Sequence, residues 1–127
     1  MRGGHRDAVV RVRIGQGDFR ARLFSRFGAV CAFTGDAPAS VLEAAHLYSY
    51  AQIGEHHEHG GLLLRRDLHR LFDLGHLAIE PTHLTIDVAP MIREYTEYGR
   101  LHGLSLAVDI DLKAGVWIGQ HWAQHRM

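Results

Sequence analysis

The segment 41–74, VLEAAHLYSYAQIGEHHEHGGLLLRRDLHRLFDL, constrains the fold more than any other part of the chain. An apolar run ends at His46, and a second run, of leucines, follows the pair Gly60 and Gly61. Short apolar runs that are bounded by turn residues are typical of buried strands. We therefore predict that a strand over residues 41–47 pairs with a second strand that begins at Gly60.

The second run leads directly into a short helix. Asp67 is a candidate N-cap, and Gly75 is placed to end the helix after Leu74. His69 and Asp73 are four residues apart, so they share a helix face beside the apolar stripe formed by Leu68, Leu71 and Phe72.

The remaining pattern predicts further short elements on both sides of this unit. They are a strand at 8–14, a helix at 19–27 that Asp18 caps and Gly28 ends, a short strand and turn at 31–40, strands at 76–80 and 84–88, a helix at 90–100 ending near Gly103, a strand at 104–110, and a helix at 116–125. There is no internal repeat or low-complexity linker, so the sequence predicts a single α+β domain.

Composition excludes several classes of protein. The 127 residues are 46% hydrophobic and 22% charged, which is typical of one globular domain rather than a disordered chain. No apolar run approaches the roughly 20 residues that span a bilayer, and no signal-peptide pattern opens the chain. Cys31 is the only cysteine, which excludes an internal disulfide and favours a cytoplasmic protein.

The net charge of zero conceals a basic N-terminal third. Residues 1–30 contain seven Arg and two Asp, and Arg is well suited to bidentate contact with phosphate. Arg20 and Arg22 are therefore candidate contacts to nucleic acid, although a merely solvated basic segment fits the same composition. Three further candidates flank the predicted His69 helix: Arg65, Arg66 and Arg70.

The histidines of segment 41–74 suggest metal-assisted phosphodiester hydrolysis. His46 is able to accept a proton from water at neutral pH, and a helical His69–Asp73 pair is able to hold one divalent ion. Such a mixed nitrogen and oxygen site suits Mg²⁺, Mn²⁺, Ni²⁺ or Zn²⁺. The alternatives are a structural strand histidine for His46 and an exposed ion pair of little energetic value for His69 and Asp73.

Several strings of this sequence resemble the HNH endonucleases of the ββα-metal superfamily, and most closely the HNH domains of bacterial restriction-type proteins. The strings are CAFTG at 31–35, LEAAH at 42–46, GGLLLRRDLHRLFD at 60–73 and GHLAIE at 75–80, with GQGDFRARL at 15–23 similar to the lead-in of such domains. The resemblance implies a ββα-metal core at 31–80, preceded by a basic lead-in and helix at 1–30 and followed by strands and helices at 81–127.

The resemblance also implies a role for four residues. His46 corresponds to the histidine that activates the attacking water, and Glu43 to a glutamate that supports the hairpin around it. His69 corresponds to a metal-binding histidine, and Asp73 to an additional ligand found in several relatives.

Two positions depart from the family pattern. Gly60 stands where the family has an asparagine that fixes the loop, and Ala45 stands where many relatives have a metal ligand. One histidine of the loop that contains His56, His57 and His59 could replace the missing ligand. An Asp at position 45 is expected to tighten metal binding if the ion lies beside it.

The leading hypothesis is a metal-dependent HNH endonuclease that hydrolyses double-stranded DNA, in restriction or phage defence. Its expected partners are DNA and further domains of a larger protein, with no membrane. Ala45 and Gly60 motivate the alternative, a nucleic-acid-binding module whose nuclease site has decayed. A structural metal-binding domain without catalysis is the third possibility.

Overall fold

A computed structural model of the chain describes residues 17–48 and 59–127. These residues form short helices and three two-stranded antiparallel sheets, so the fold is α+β, as the sequence predicts. The strand predicted at residues 8–14, together with His56 and His57, lies outside the described residues. Within the part that the structure describes, no helix has both the length and the apolar character needed to cross a membrane.

The elements follow one another as short segments joined by tight turns. Helix α1 covers residues 17–27, and the strands are β1 (Val30–Cys31), β2 (Gly35–Asp36), β3 (Leu42–His46), β4 (Gly61–Arg65), β5 (Leu77–Glu80) and β6 (Thr85–Val88). The later helices are α2 (Arg66–Asp73), α3 (Pro90–Arg93), α4 (Thr96–Gly99) and α5 (Gly115–Arg126).

Strands β3 and β4 form the predicted hairpin and lead into helix α2 without a connecting loop. Leu42 lies opposite Arg65, and His46 lies opposite Gly61. Beyond the last pair, the Leu47 amide donates to the Gly60 carbonyl over 2.8 Å. The main chain of Gly60 therefore helps to close the hairpin beside His46, although Gly60 lacks the side chain with which the family asparagine would fix the loop.

Both faces of this hairpin are covered, which explains the unbroken leucine run in β4. Successive side chains of a strand point to opposite faces. Ala44 and Leu63 pack with Phe19 and Leu23 of α1. Ala45 belongs to the main core, as do two leucines of β4, Leu62 and Leu64, and two residues of α2, Leu68 and Phe72. The hairpin is thus held between helices α1 and α2.

Helix α5 is anchored at its C-terminal end to the turn after α2 and to β6. The Arg126 guanidinium donates to Asp87 Oδ2 over 2.7 Å and to the Gly75 carbonyl over 2.6 Å. His125 lies directly against Gly75, where any Cβ would collide with its ring. Gly75 also has φ of +81°, so it ends α2 in the left-handed conformation that glycine adopts most easily.

Two predicted elements differ in the structure. The helix predicted at 90–100 is broken into α3 and α4 because Tyr95 is extended, with φ −87° and ψ 110°. This break turns α4 toward α2, where the Tyr98 hydroxyl donates to Asp67 over 2.9 Å. The strand predicted at 104–110 is wrong: among the described residues this segment forms only an isolated bridge, between Ser105 and Thr85.

The two predicted helix caps are also wrong. Asp18 lies inside α1, where it pairs with Arg22 over 2.6 Å. Asp67 is the second residue of α2, and Arg65 precedes the helix without a side-chain cap. Burial alone would raise the pKa of Asp67, but hydrogen bonds from Arg65 and Tyr98 outweigh it and hold the pKa below its ordinary value. The carboxylate of Asp67 therefore joins α2 to α4.

Candidate functional site

The histidine of helix α2 lies between two carboxylates from different elements. His69 Nδ1 is 2.8 Å from Glu43 Oε1 on β3, and His69 Nε2 is 3.3 Å from Asp73 Oδ2 one helical turn later. The first contact depends on the hairpin, because β3 runs across the face of α2. The second follows from helix geometry alone.

The Glu43 contact determines what His69 can bind. When Nδ1–H donates to the Glu43 carboxylate, the neutral ring has its lone pair on Nε2. That lone pair then faces an oxygen of Asp73, and two acceptors 3.3 Å apart repel each other unless a positive charge lies between them. Either a second proton on the imidazole or a bound cation satisfies this arrangement. A histidine that is oriented by a carboxylate is a common feature of metal sites.

Glu43 faces helix α2 rather than His46. Glu43 and His46 are three residues apart on one strand, so their side chains leave opposite faces. Besides His69, Glu43 contacts Arg66 Nε over 3.2 Å. The printed contacts of Glu43 thus join β3 to helix α2, and its expected support of the hairpin around His46 stays a prediction.

His46 is positioned by aromatic rings. The Phe19 ring of α1 stacks on it with centroids 4.3 Å apart and an interplanar angle of 2°. Tyr48 approaches its edge, with centroids 5.2 Å apart. Gly61, opposite His46 in the hairpin, leaves the space that Phe19 fills, since a Cβ on Gly61 would collide with the phenyl ring. These contacts restrict the plane of the His46 imidazole.

A cavity of about 480 Å³ brings the two parts of the site together. His46 and Asp73 both line it, from the end of β3 and the end of α2. Its opposite wall is helix α5, which contributes four polar side chains: Gln120, His121, Gln124 and His125. The His121 Nε2–H donates to the Phe72 carbonyl over 2.9 Å, next to Asp73, and its ring stacks on the Phe72 ring.

The structure also shows what surrounds Ala45 and the loop histidine His59. Ala45 is only 1% exposed and packs in the main core, so position 45 does not border an open ion-binding space. His59 Nδ1 lies 3.4 Å from Asp111 and away from the cavity lining, so it does not replace the missing ligand. Among residues 17–48 and 59–127, no group of three or more His, Cys, Asp or Glu side chains is arranged to hold a metal.

The five candidate arginines have different surroundings. Arg20 donates to the carbonyls of Ala39 and Leu42 and so joins α1 to β3, while Arg22 pairs with Asp18. Three arginines lie on or next to α2: Arg65 is tied to Asp67 and Glu97, Arg66 pairs with Glu43 but is 73% exposed, and Arg70 is exposed. The structure therefore leaves Arg66 and Arg70 as the more accessible cations.

Sequence reasoning missed two parts of the site. Phe19 is an apolar residue at the start of the helix predicted at 19–27, but nothing in the local pattern shows that it stacks on His46. The polar wall of α5 has a local signal, because Gln120 and Gln124, and likewise His121 and His125, repeat at four-residue spacing. That signal becomes informative only when α5 is seen to face Asp73.

The β3–β4 hairpin leads directly into helix α2, which bears the His69–Asp73 pair, and so forms the ββα unit that the resemblance implies. Residues 31–80, from β1 to the end of β5, match the model of the HNH endonuclease family. This match confirms the resemblance over that segment, which is 50 of the 127 residues of the chain. No curated protein matches the chain. Helices α1 and α5 lie outside the matched segment.

Proposed function

We propose that this protein is a metal-dependent endonuclease that hydrolyses phosphodiester bonds in double-stranded DNA, in restriction or phage defence. The observation that carries the proposal is the placement of His69 between Glu43 and Asp73, with His46 and Asp73 lining one cavity. The family match of residues 31–80 supports the nuclease class. The role in defence rests on the sequence resemblance to restriction-type proteins.

The donor set fits a divalent ion. His69 Nε2 and an Asp73 oxygen would hold it, and Glu43 would keep the imidazole in the tautomer that presents Nε2. When bound, the ion supplies the positive charge that stabilises negative charge on a phosphate. Mg²⁺, Mn²⁺, Ni²⁺ and Zn²⁺ all suit an imidazole and a carboxylate.

His46 is the proposed general base. Its ring lines the cavity, and its stack on Phe19 fixes the plane of the ring. One nitrogen would take a proton from the water molecule that attacks the phosphorus atom. Arg66 and Arg70, which are exposed on α2, would bind phosphates along the strand. Since α1 and β3 hold His46 while α2 holds His69, the base and the ligands belong to separate parts of the site.

Nicking of supercoiled plasmid tests the proposal. The purified protein should convert the plasmid to the open circular form with a divalent metal and not with excess chelator. His46→Ala should abolish nicking and leave folding unchanged, whereas His83→Ala, on the exposed turn between β5 and β6, should retain activity. Plasmid that is retarded on a gel but never cut would overturn catalysis in favour of a decayed DNA-binding module. The Gly60 departure and the lack of a third ligand among the described residues motivate that alternative.

A further inference from the structure

The wall of the cavity opposite α2 comes from a helix that the family segment does not include. Gln120 and Gln124 line the cavity from α5 and are exposed, and His121 and His125 line it beside them. Helix residues that are four apart lie one above the other, so these four side chains form two adjacent rows on one face. The rows lie across the cavity from His46 and Asp73.

We propose that this face of α5 binds a backbone phosphate of the DNA strand that is cleaved, with the amide groups of Gln120 and Gln124 as hydrogen-bond donors. The inference rests on the proposed function and assigns one wall of its substrate cleft. A glutamine amide provides two N–H donors, and hydrogen bonds to charged phosphate oxygens are stronger than those between neutral groups.

The charge of the surroundings suits an anion. Residues 115–126 contain no acidic side chain, so helix α5 brings no carboxylate to the cavity. Among the described residues that line the cavity, Asp73 is the only one with a carboxylate, and it is a proposed metal ligand. The volume of about 480 Å³ lies within the range of roughly 300–1,000 Å³ that small-ligand pockets show, so a nucleotide-sized group fits.

His121 fixes the distance between the two walls. Its hydrogen bond to the Phe72 carbonyl and its stack on the Phe72 ring, with centroids 3.9 Å apart, join α5 to the last turn of α2. Arg126 adds a second attachment through the Gly75 carbonyl. The glutamines therefore stand on a helix that is tied to the main chain on both sides of Asp73.

Opposite charges at position 124 test the inference. Gln124→Glu has almost the same shape as the native side chain but repels phosphate, whereas Gln124→Lys attracts it. With wild-type protein as reference, the dissociation constant for a short fluorescein-labelled DNA duplex, measured by anisotropy, should rise about tenfold for Gln124→Glu and fall about threefold for Gln124→Lys. For the Lys variant, the slope of the logarithm of the binding constant against the logarithm of the salt concentration should also become steeper by about one.

The matched control places the same charges elsewhere on α5. Val116 is 65% exposed and does not line the cavity, so Val116→Glu and Val116→Lys should differ from each other by less than about threefold. A spread at position 124 no larger than that at 116 would overturn the inference while the nuclease function stands. The Glu and Lys changes at Gln120 repeat the test independently and should give the same signs. Wild-type protein that neither binds nor nicks DNA would overturn both proposals.

Discussion

Replacement of Gly61 by alanine tests the contact that positions His46. Gly61 begins β4 opposite His46, and a Cβ added there would overlap the ring of Phe19. Phe19 is 1% exposed and packs against the hairpin, so it has little room to move away. The structure therefore predicts that Gly61→Ala displaces the Phe19 ring and disturbs its stack on His46.

Two opposing effects determine how much Gly61→Ala changes the free energy of unfolding. Overpacking a well-filled core costs about 1–3 kcal/mol. In contrast, alanine restricts the unfolded chain more than glycine does, which stabilises the folded state by about 0.4–1 kcal/mol where the backbone allows it. The backbone of Gly61 is not in the left-handed region, so this second effect applies. We expect a net loss of about 1–2 kcal/mol in the free energy of unfolding.

Urea denaturation measures this loss, and Gly119→Ala provides the matched control. Gly119 lies inside α5, and an added Cβ there would meet nothing within 4 Å. The same substitution should therefore stabilise the protein by about 0.5–1 kcal/mol, since glycine is unfavourable in a helix. The two variants should change stability in opposite directions.

A compensating change identifies the cause. Phe19→Leu is expected to destabilise the wild type but to be tolerated better in the Gly61→Ala background, with a coupling energy of more than about 0.5 kcal/mol. Plasmid nicking by Gly61→Ala should fall further than its folded fraction explains, because the imidazole of His46 is no longer held. If Gly61→Ala is as stable as the wild type, the steric argument is refuted.

Three further predictions follow from the same contacts. His69→Ala and Asp73→Ala should each weaken Mn²⁺ binding in calorimetric titrations, and their effects should not be additive because the two residues share one ion. Glu43→Gln should weaken Mn²⁺ binding about 10–100-fold. Unchanged Mn²⁺ affinity in all three variants would place the ion elsewhere. Ala45→Asp should lower the free energy of unfolding by more than about 2 kcal/mol in urea titrations, because the carboxylate enters a core position that is 1% exposed. A variant as stable as the wild type would contradict the burial of position 45. Burial, with smaller effects from His125 and Arg126, lowers the pKa of His121 below its ordinary value near 6.5. As the pH drops below about 6.5, the unfolded chain therefore takes up this proton before the folded chain does, and the free energy of unfolding should fall. The urea midpoint of His121→Phe should fall less between neutral and acidic pH than that of the wild type, and an equal fall would contradict the lowered pKa.

Local sequence patterns determined much of the core of this protein. The β3–β4 hairpin and helix α2 follow from apolar runs, the turn at Gly60 and Gly61, and the four-residue spacing of His69 and Asp73, all of which depend on neighbouring residues. The ends of α1 and α2 follow from Gly28 and Gly75, which both have positive φ. The resemblance to HNH endonucleases comes from the same part of the chain, and the family match of residues 31–80 confirms the resemblance there.

Only the tertiary structure decided how these pieces face one another. Glu43 reaches His69 rather than His46 because alternate residues of a strand point to opposite faces, and the packing of α1 and α2 determines which face each helix covers. Helix α5 begins at Gly115, 35 residues after the matched segment ends at Glu80, yet it forms one wall of the cavity. Contacts between residues so distant in sequence depend on packing energies summed over the whole core, and no local pattern encodes them.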